Sequence, residues 1–290
     1  MALSFAKKPS LVAYVTCGDP SLATTREVVF AALEAGADVI ELGVPFSDPV
    51  ADGPVIQRAS ERALRGGTTL SQVLELARQV RRESTAGLIL FSYFNPVLHL
   101  GIGRFCRAME DAGADGALIT DLPTEEAEGY VDEMRGRNLA TVFLAAPTST
   151  TARLSQIAKL STGFVYAVSR TGTTGEQTPM PEDAPRLVGR IRKLTALPVA
   201  VGFGISTRQQ VRGVGEFADA AVVGSALVAT VERNPGKEAA SVAQFITQLL
   251  ADSPTGGREN LATLETRTRT STRTQTRKQA PTARDERKTN

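Results

Sequence analysis

The chain has 290 residues, 42% of them hydrophobic and 5% aromatic, with 25 glycines and no tryptophan; that much aliphatic side chain builds a sizeable core and excludes wholesale disorder. Lys and Arg number 33 against 31 Asp and Glu, but residues 258–290 hold nine of the former and four of the latter, so the first 257 carry a net −3, which argues against a dedicated nucleic-acid surface on the folded part. Cys17 and Cys106 form no Cys-x-x-Cys pair, the start lacks an export signal and no run of about 18 apolar residues occurs, so a reduced, cytoplasmic protein with no membrane span is expected.

Eight short apolar runs follow one another along the chain: Leu11–Thr16, Val39–Val44, Leu88–Ser92, Ala117–Thr120, Thr141–Leu144, Phe164–Val168, Val199–Val201 and Ala221–Val223. Between them lie stretches with helical periodicity, such as Glu27–Ala35, Leu70–Arg82, Arg104–Ala112, Glu125–Arg137 and Gln209–Gly215. Strands that read as unbroken apolar runs are buried on both faces, the pattern of a parallel sheet covered by helices. Eight strand–helix units predict a single (β/α)8 barrel with extra short helices, over residues 1–251; such barrels commonly need roughly 250 residues. An open doubly wound sheet is the competing arrangement. Its dinucleotide fingerprint at the first strand-to-helix turn is missing, because Gly18 is followed by Asp19-Pro20.

Gly36, Gly113 and Gly136 stand near helix ends, where a left-handed residue is wanted. Ala35-Gly36-Ala37-Asp38 and Ala112-Gly113-Ala114-Asp115 both precede a strand, which marks them as structural turns on the bottom face of the barrel. From about Asp252 the periodicity stops, and residues 266–277 nearly alternate Thr with Arg. Residues 252–290 are therefore expected to be a disordered basic tail.

Barrel active sites are built at the carboxyl ends of the strands. Glu41 sits within the second strand run, where an ionised carboxylate carries a desolvation penalty of several kcal/mol unless protonated or partnered. A carboxyl so placed is suited to proton transfer near neutral pH, although a structural glutamate would occupy the same position. Asp52 follows in an acidic, proline-stiffened loop; Asp52-Gly53-Pro54 is also ordinary turn chemistry, and it is the pairing with Glu41 that suggests a site.

Between the sixth strand run and its helix, residues 169–179 are polar and glycine-rich, a composition that fits a closing lid or a plain surface loop. After the seventh and eighth runs come Gly202-Phe203-Gly204-Ile205-Ser206-Thr207 and Gly224-Ser225, each opening a helical segment. Glycines admit an anion close to the main chain, and these two loops are where barrels hold phosphate. Before the tail the lysines are Lys7, Lys8, Lys159, Lys193 and Lys237, none at a strand tip, and His99 is the sole histidine. Schiff-base and multi-histidine metal chemistry are thus not expected, which leaves carboxylate acid–base chemistry on a phosphorylated substrate.

The run Glu41-Leu42-Gly43-Val44-Pro45-Phe46-Ser47-Asp48-Pro49-x-Ala51-Asp52-Gly53-Pro54-x-Ile56-Gln57 closely resembles the signature of the tryptophan synthase alpha subunit family. Val15-Thr16-x-Gly18-Asp19-Pro20, Asn95-Pro96, Asp121-Leu122-Pro123, Ser169-Arg170-x-Gly172-x-Thr174-Gly175, Gly202–Ser206 and Gly224-Ser225-Ala226 extend the similarity over about residues 9–250. The resemblance implies cleavage of indole-3-glycerol phosphate to indole and glyceraldehyde 3-phosphate in tryptophan biosynthesis. It also implies transfer of indole to a beta subunit in an α2β2 tetramer, with pyridoxal phosphate on that partner and no cofactor here.

By the same match, Glu41 protonates indole C3 and shuttles the hydroxyl proton, and Asp52 stabilises charge at the indole nitrogen. Gly175, Gly204, Gly224 and Ser225 hold the phosphate. Phe91, Leu118, Leu144, Tyr166 and Phe203 line the indole pocket, and Thr174 ties the lid to Asp52. Pro45, Asp48 and Asn95-Pro96 match positions near the partner. The chain departs from the family in three ways: the segment ahead of the first strand is short, Tyr14 stands where Phe is frequent, and the Thr/Arg tail has no counterpart. Two classes of function stay open on these grounds. One is a lyase, partnered or freestanding; the other is a barrel that chiefly binds and activates a beta partner. Glu41 and Asp52 favour the first.

Overall fold

Every residue of the first two strands is buried: β1 spans Ser10–Thr16 and β2 Val39–Gly43, so their unbroken apolar runs find cover on both faces. This computed structural model describes residues 3, 5, 7–168, 183–202 and 204–251. Six more strands follow, β3 (Gly87–Ser92), β4 (Gly116–Ile119), β5 (Ala140–Ala145), β6 (Val165–Val168), β7 (Val199–Gly202) and β8 (Ala220–Val223). All pair in parallel in chain order, and β8 returns to β1 to close the barrel. Each predicted run coincides with a strand to within one residue at either end.

The helices are α1 (Leu22–Glu34), α2 (Pro54–Arg65), α3 (Leu70–Glu83), α4 (Phe94–Leu100), α5 (Ile102–Ala112), α6 (Glu128–Gly136), α7 (Thr151–Leu160), α8 (Asp183–Arg192), α9 (Arg208–Gly215), α10 (Ser225–Arg233) and α11 (Glu238–Leu250). Strands β2, β3 and β8 are each followed by two helices, so α2, α4 and α10 are the extra ones, inserted at the carboxyl ends of the strands. Two boundaries differ from the periodicity by three residues or more. Helix α1 starts earlier than Glu27 because Ser21 caps it, its hydroxyl accepting the Thr24 amide. Helix α6 starts later than Glu125, which is held instead by Thr124 and by Arg153 of α7.

Gly36 and Gly113 adopt the positive φ expected of helix stops, 111° and 73°. Gly136 does not. It is the last residue of α6, and Asn138 takes the left-handed position at φ 56°, which its short polar side chain tolerates better than most.

The bottom face is stitched by a repeated device. Asp38, ahead of β2, accepts the Leu11 amide of β1 at 2.9 Å, while its own amide donates back to the Leu11 carbonyl. Asp115 does the same with Leu88 of β3, and Asp219 with Val199 of β7. In the remaining pair Thr162 plays this part with Thr141 of β5. Each link joins an odd strand to the turn before the next, so strand N-termini that would lack acceptors are satisfied.

Alternate strand positions point inward. Val12, Val39, Ile89, Leu118, Val142, Phe164, Ala200 and Val222 fill the interior, and the opposite faces pack against the helices. The short N-terminal segment still closes the lower end: Leu3 is buried there and Phe5 meets Phe164 edge-on at 5.6 Å. A Cβ at Gly87 would stand 2.9 Å from a Leu3 methyl, so glycine makes that seat.

Candidate active site

Inward alternation along β2 places Val39, Glu41 and Gly43 on the barrel interior in ascending order. Glu41 has no solvent exposure, and neither carboxyl oxygen has a hydrogen-bond partner among the described residues. Burial alone pushes its pKa up to about 8, so it holds a proton at neutral pH. A protonated acid with both oxygens free, on a rigid strand inside an apolar wall, is poised to give that proton to something that enters beside it.

The second acid is held from above. The loop after β2 lies against β3's carboxyl end through Tyr93, whose ring stacks on Phe46 at 4.9 Å. The Tyr93 hydroxyl accepts the Ala51 amide at 3.0 Å and donates to Asp52 Oδ2 at 3.1 Å. Gln57 adds a donor to the Asp52 carbonyl at 2.9 Å. Burial raises the Asp52 pKa to about 6, against the opposing pull of the Tyr93 hydrogen bond, so the carboxyl is mostly ionised at neutral pH. The two acids therefore sit in opposite protonation states near pH 7, one donor and one anion. Sequence reasoning passed over Tyr93; an aromatic hydroxyl directly after a strand was the only signal for it.

Of the predicted pocket residues, Phe91, Leu118, Leu144 and Tyr166 all join the interior cluster on β3, β4, β5 and β6. Tyr166 reaches toward β7, where Gly202 has no side chain to obstruct it; a Cβ there would stand 2.4 Å from the hydroxyl. Burial and the charges of Glu41 and Asp52 keep that phenol un-ionised. Phe203, Thr174, Gly175 and the proposed lid lie outside the described residues, as does the expected tail.

The two glycine loops differ. Gly224 is the N-cap of α10 and offers no side-chain cap, which leaves the first amides of that helix, Ser225 among them, open to an anion. Gly204 has a positive φ of 73° and is exposed, but α9 begins only at Arg208 and is closed by its own capping box. Gln210 takes the Ser206 and Thr207 amides. The seventh loop thus presents loop backbone rather than a helix terminus. Helices α2 and α10, which follow the Asp52 and Gly224 loops, are clamped together: Arg62 bridges Asp19 and Glu232, and Arg58 forks onto Glu232.

Of the described lysines, Lys7, which pairs with Asp38, and Lys8 precede β1, Lys159 is in α7, Lys193 directly follows α8 and Lys237 directly precedes α11. His99 is exposed on α4. Among the described residues no group of three or more His, Cys, Asp or Glu is placed to hold a metal ion. No described helix is long and apolar enough to cross a membrane. On the rim, Asp48 and Asn95 are exposed while Pro45 is buried, and Val50 and Leu98 leave 86% and 53% of their surface open.

Comparison with known proteins identifies the family. The family model described as tryptophan synthase alpha chain matches residues 2–253. A tryptophan synthase alpha chain of Solibacter usitatus is 53% identical over 227 residues, covering 78% of this chain and 85% of the relative. That of Laribacter hongkongensis is 48% identical over 232 residues, covering 80% and 88%. Among solved structures, the tryptophan synthase A-subunit of the hyperthermophile Pyrococcus furiosus superposes with a TM-score of 0.80 at 38% identity, over 85% of this chain and 99% of that one.

Proposed function

The chain belongs to the tryptophan synthase alpha chain family and is a lyase of tryptophan biosynthesis; on that premise we propose that it cleaves indole-3-glycerol phosphate to indole and glyceraldehyde 3-phosphate by carboxylate chemistry. Glu41 gives its proton to indole C3. The resulting iminium withdraws the electron pair of the bond between C3 and the glycerol carbon, which breaks. The hydroxyl on that carbon returns its proton to Glu41 as the aldehyde forms, so the acid is regenerated and no external reagent is consumed. Asp52, ionised near neutral pH, stabilises the positive charge that spreads to the ring nitrogen.

Phe91, Leu118, Leu144, Tyr166 and Phe203 wall the indole, and the amides at Gly175, Gly204, Gly224 and Ser225 hold the phosphate. Thr174 ties the closed lid to Asp52. The reaction itself needs no cofactor on this chain, since the protonated indole is the electron sink. Indole then passes to a pyridoxal-phosphate beta subunit in a cytoplasmic α2β2 assembly, docked over the rim that carries Asp48, Asn95 and the exposed Val50. The barrel domain ends near residue 251, and residues 252–290 form a separate basic tail.

The observation that carries this reading is Glu41: a fully buried acid, unpartnered among the described residues, protonated up to about pH 8, on the inner face of the barrel. The test is release of indole from indole-3-glycerol phosphate by the purified chain, with and without a beta subunit. Turnover that Glu41→Gln abolishes while substrate still binds supports it; no indole under either condition sinks it.

A further inference from the structure

The wall beside Glu41 carries a phenol that the reaction above leaves unused. Tyr14 of β1 pairs in register with Glu41 of β2. Its ring is 5% exposed and stands edge-on to Phe91 at 5.0 Å. The hydroxyl rises over Gly43, two residues above Glu41 on the same inward face, and a Cβ at Gly43 would stand 2.3 Å from it. Glycine at that position is what lets the phenol reach across its neighbour strand. On its other side Gly224 of the eighth loop approaches the Tyr14 Cβ, so the ring stands between the acid and the open end of α10.

We propose that Tyr14 is a positioning residue for Glu41, its hydroxyl donating to the Glu41 carboxylate in the interval when that acid has given up its proton. The inference rests on the reading of Glu41 as the acid. An ionised Glu41 would otherwise stand inside the barrel with both oxygens unpaired, at a large desolvation cost. A hydroxyl on the same wall, which need only turn toward the charge as it develops, lowers that cost when it donates. The groups acting on Tyr14 are Asp52 from the second loop, Glu41 from β2, and Thr16 and Cys17 from the end of its own strand, with Tyr166 facing it from β6. Burial and the neighbouring acids suppress its own ionisation, so it remains a donor throughout the working range.

Tyr14→Phe in the full chain keeps the ring and removes only the donor. The expected result is a kcat lower by about tenfold or more with KM within about twofold, and a basic limb of kcat/KM moved to higher pH. Independently of turnover, the protonated Glu41 carbonyl stretch in infrared difference spectra should persist to higher pH than in the parent. An unchanged kcat, with unmoved basic limb and infrared midpoint, overturns the proposal and leaves Tyr14 as packing. Should Tyr14→Phe fold poorly, 3-fluorotyrosine placed at position 14 is a stronger donor and should lower the Glu41 midpoint; no shift overturns the proposal equally. A parent chain that releases no indole would instead overturn the reaction, and the infrared titration would still decide the role of Tyr14.

Discussion

Tyr93 donates to Asp52 Oδ2 at 3.1 Å while accepting the Ala51 amide at 3.0 Å, so a single hydroxyl holds both the side chain and the main chain of the loop that carries the second acid. Tyr93→Phe should remove both. Asp52 loses the hydrogen bond that holds its pKa down, so its pKa should rise above about 6 and the acidic limb of kcat/KM should move to higher pH. A loss of kcat of about tenfold is expected. Rate profiles of indole release against pH check this, and an unmoved acidic limb contradicts it.

The unmodified chain should show a bell-shaped dependence of kcat/KM on pH. Activity needs Asp52 ionised and Glu41 protonated, so it should rise through about pH 6 and fall through about pH 8. Asp52→Asn should remove the acidic limb along with most of the rate. A profile with neither limb would mean that these two carboxyls are not the acid and the anion of the reaction.

Glu41 should also cost stability, in a direction that pH reveals. Its native pKa of about 8 lies above the ordinary 4.5, so the native state keeps a proton that the unfolded chain releases. Stability contributed by this group is full below pH 4.5 and declines as pH rises from there to about 8. Glu41→Gln, which cannot ionise, should therefore be more stable than the parent at pH 8, by a few kcal/mol at most, with the gap closing toward acid pH. Thermal unfolding of both proteins across that range measures it. A glutamine variant that is less stable at every pH would indicate a structural glutamate.

The bottom face should answer to stability and not to chemistry. Asp115 accepts the Leu88 amide at 2.8 Å and an Arg81 guanidinium nitrogen at 2.6 Å. Asp115→Ala strands both donors and should cost about 2 kcal/mol, read as a lower midpoint in urea, while KM and the pH limbs of the folded fraction stay put. A change in the limbs would mean that the strand register propagates to the upper end of the barrel.

Much of the molecule is local, and local physics is legible. The eight strands appear at their predicted places because a strand buried on both faces must be apolar throughout, whatever lies beside it. The Asp38 and Asp115 turns are recognisable because each repeats the same four residues, and the structure adds Asp219 and Thr162, which do the same work from different sequences. Gly136 shows the limit: two residues near one helix end can both tolerate a left-handed turn, and the folded chain takes it at Asn138.

From sequence alone came the barrel, and with it the knowledge that a carboxylic acid lies inside an apolar strand, because alternation along one strand decides which way Glu41 points. Only the closed barrel decides what that acid meets. Tyr93 comes to Asp52 from 41 residues away, Gln210 takes amides that the seventh loop would otherwise offer, and Tyr14 reaches over Gly43 from the neighbouring strand. Such partners lie far apart along the chain or on different strands, so hydrogen bonds and proton affinities that depend on them exist only after the fold has brought them together.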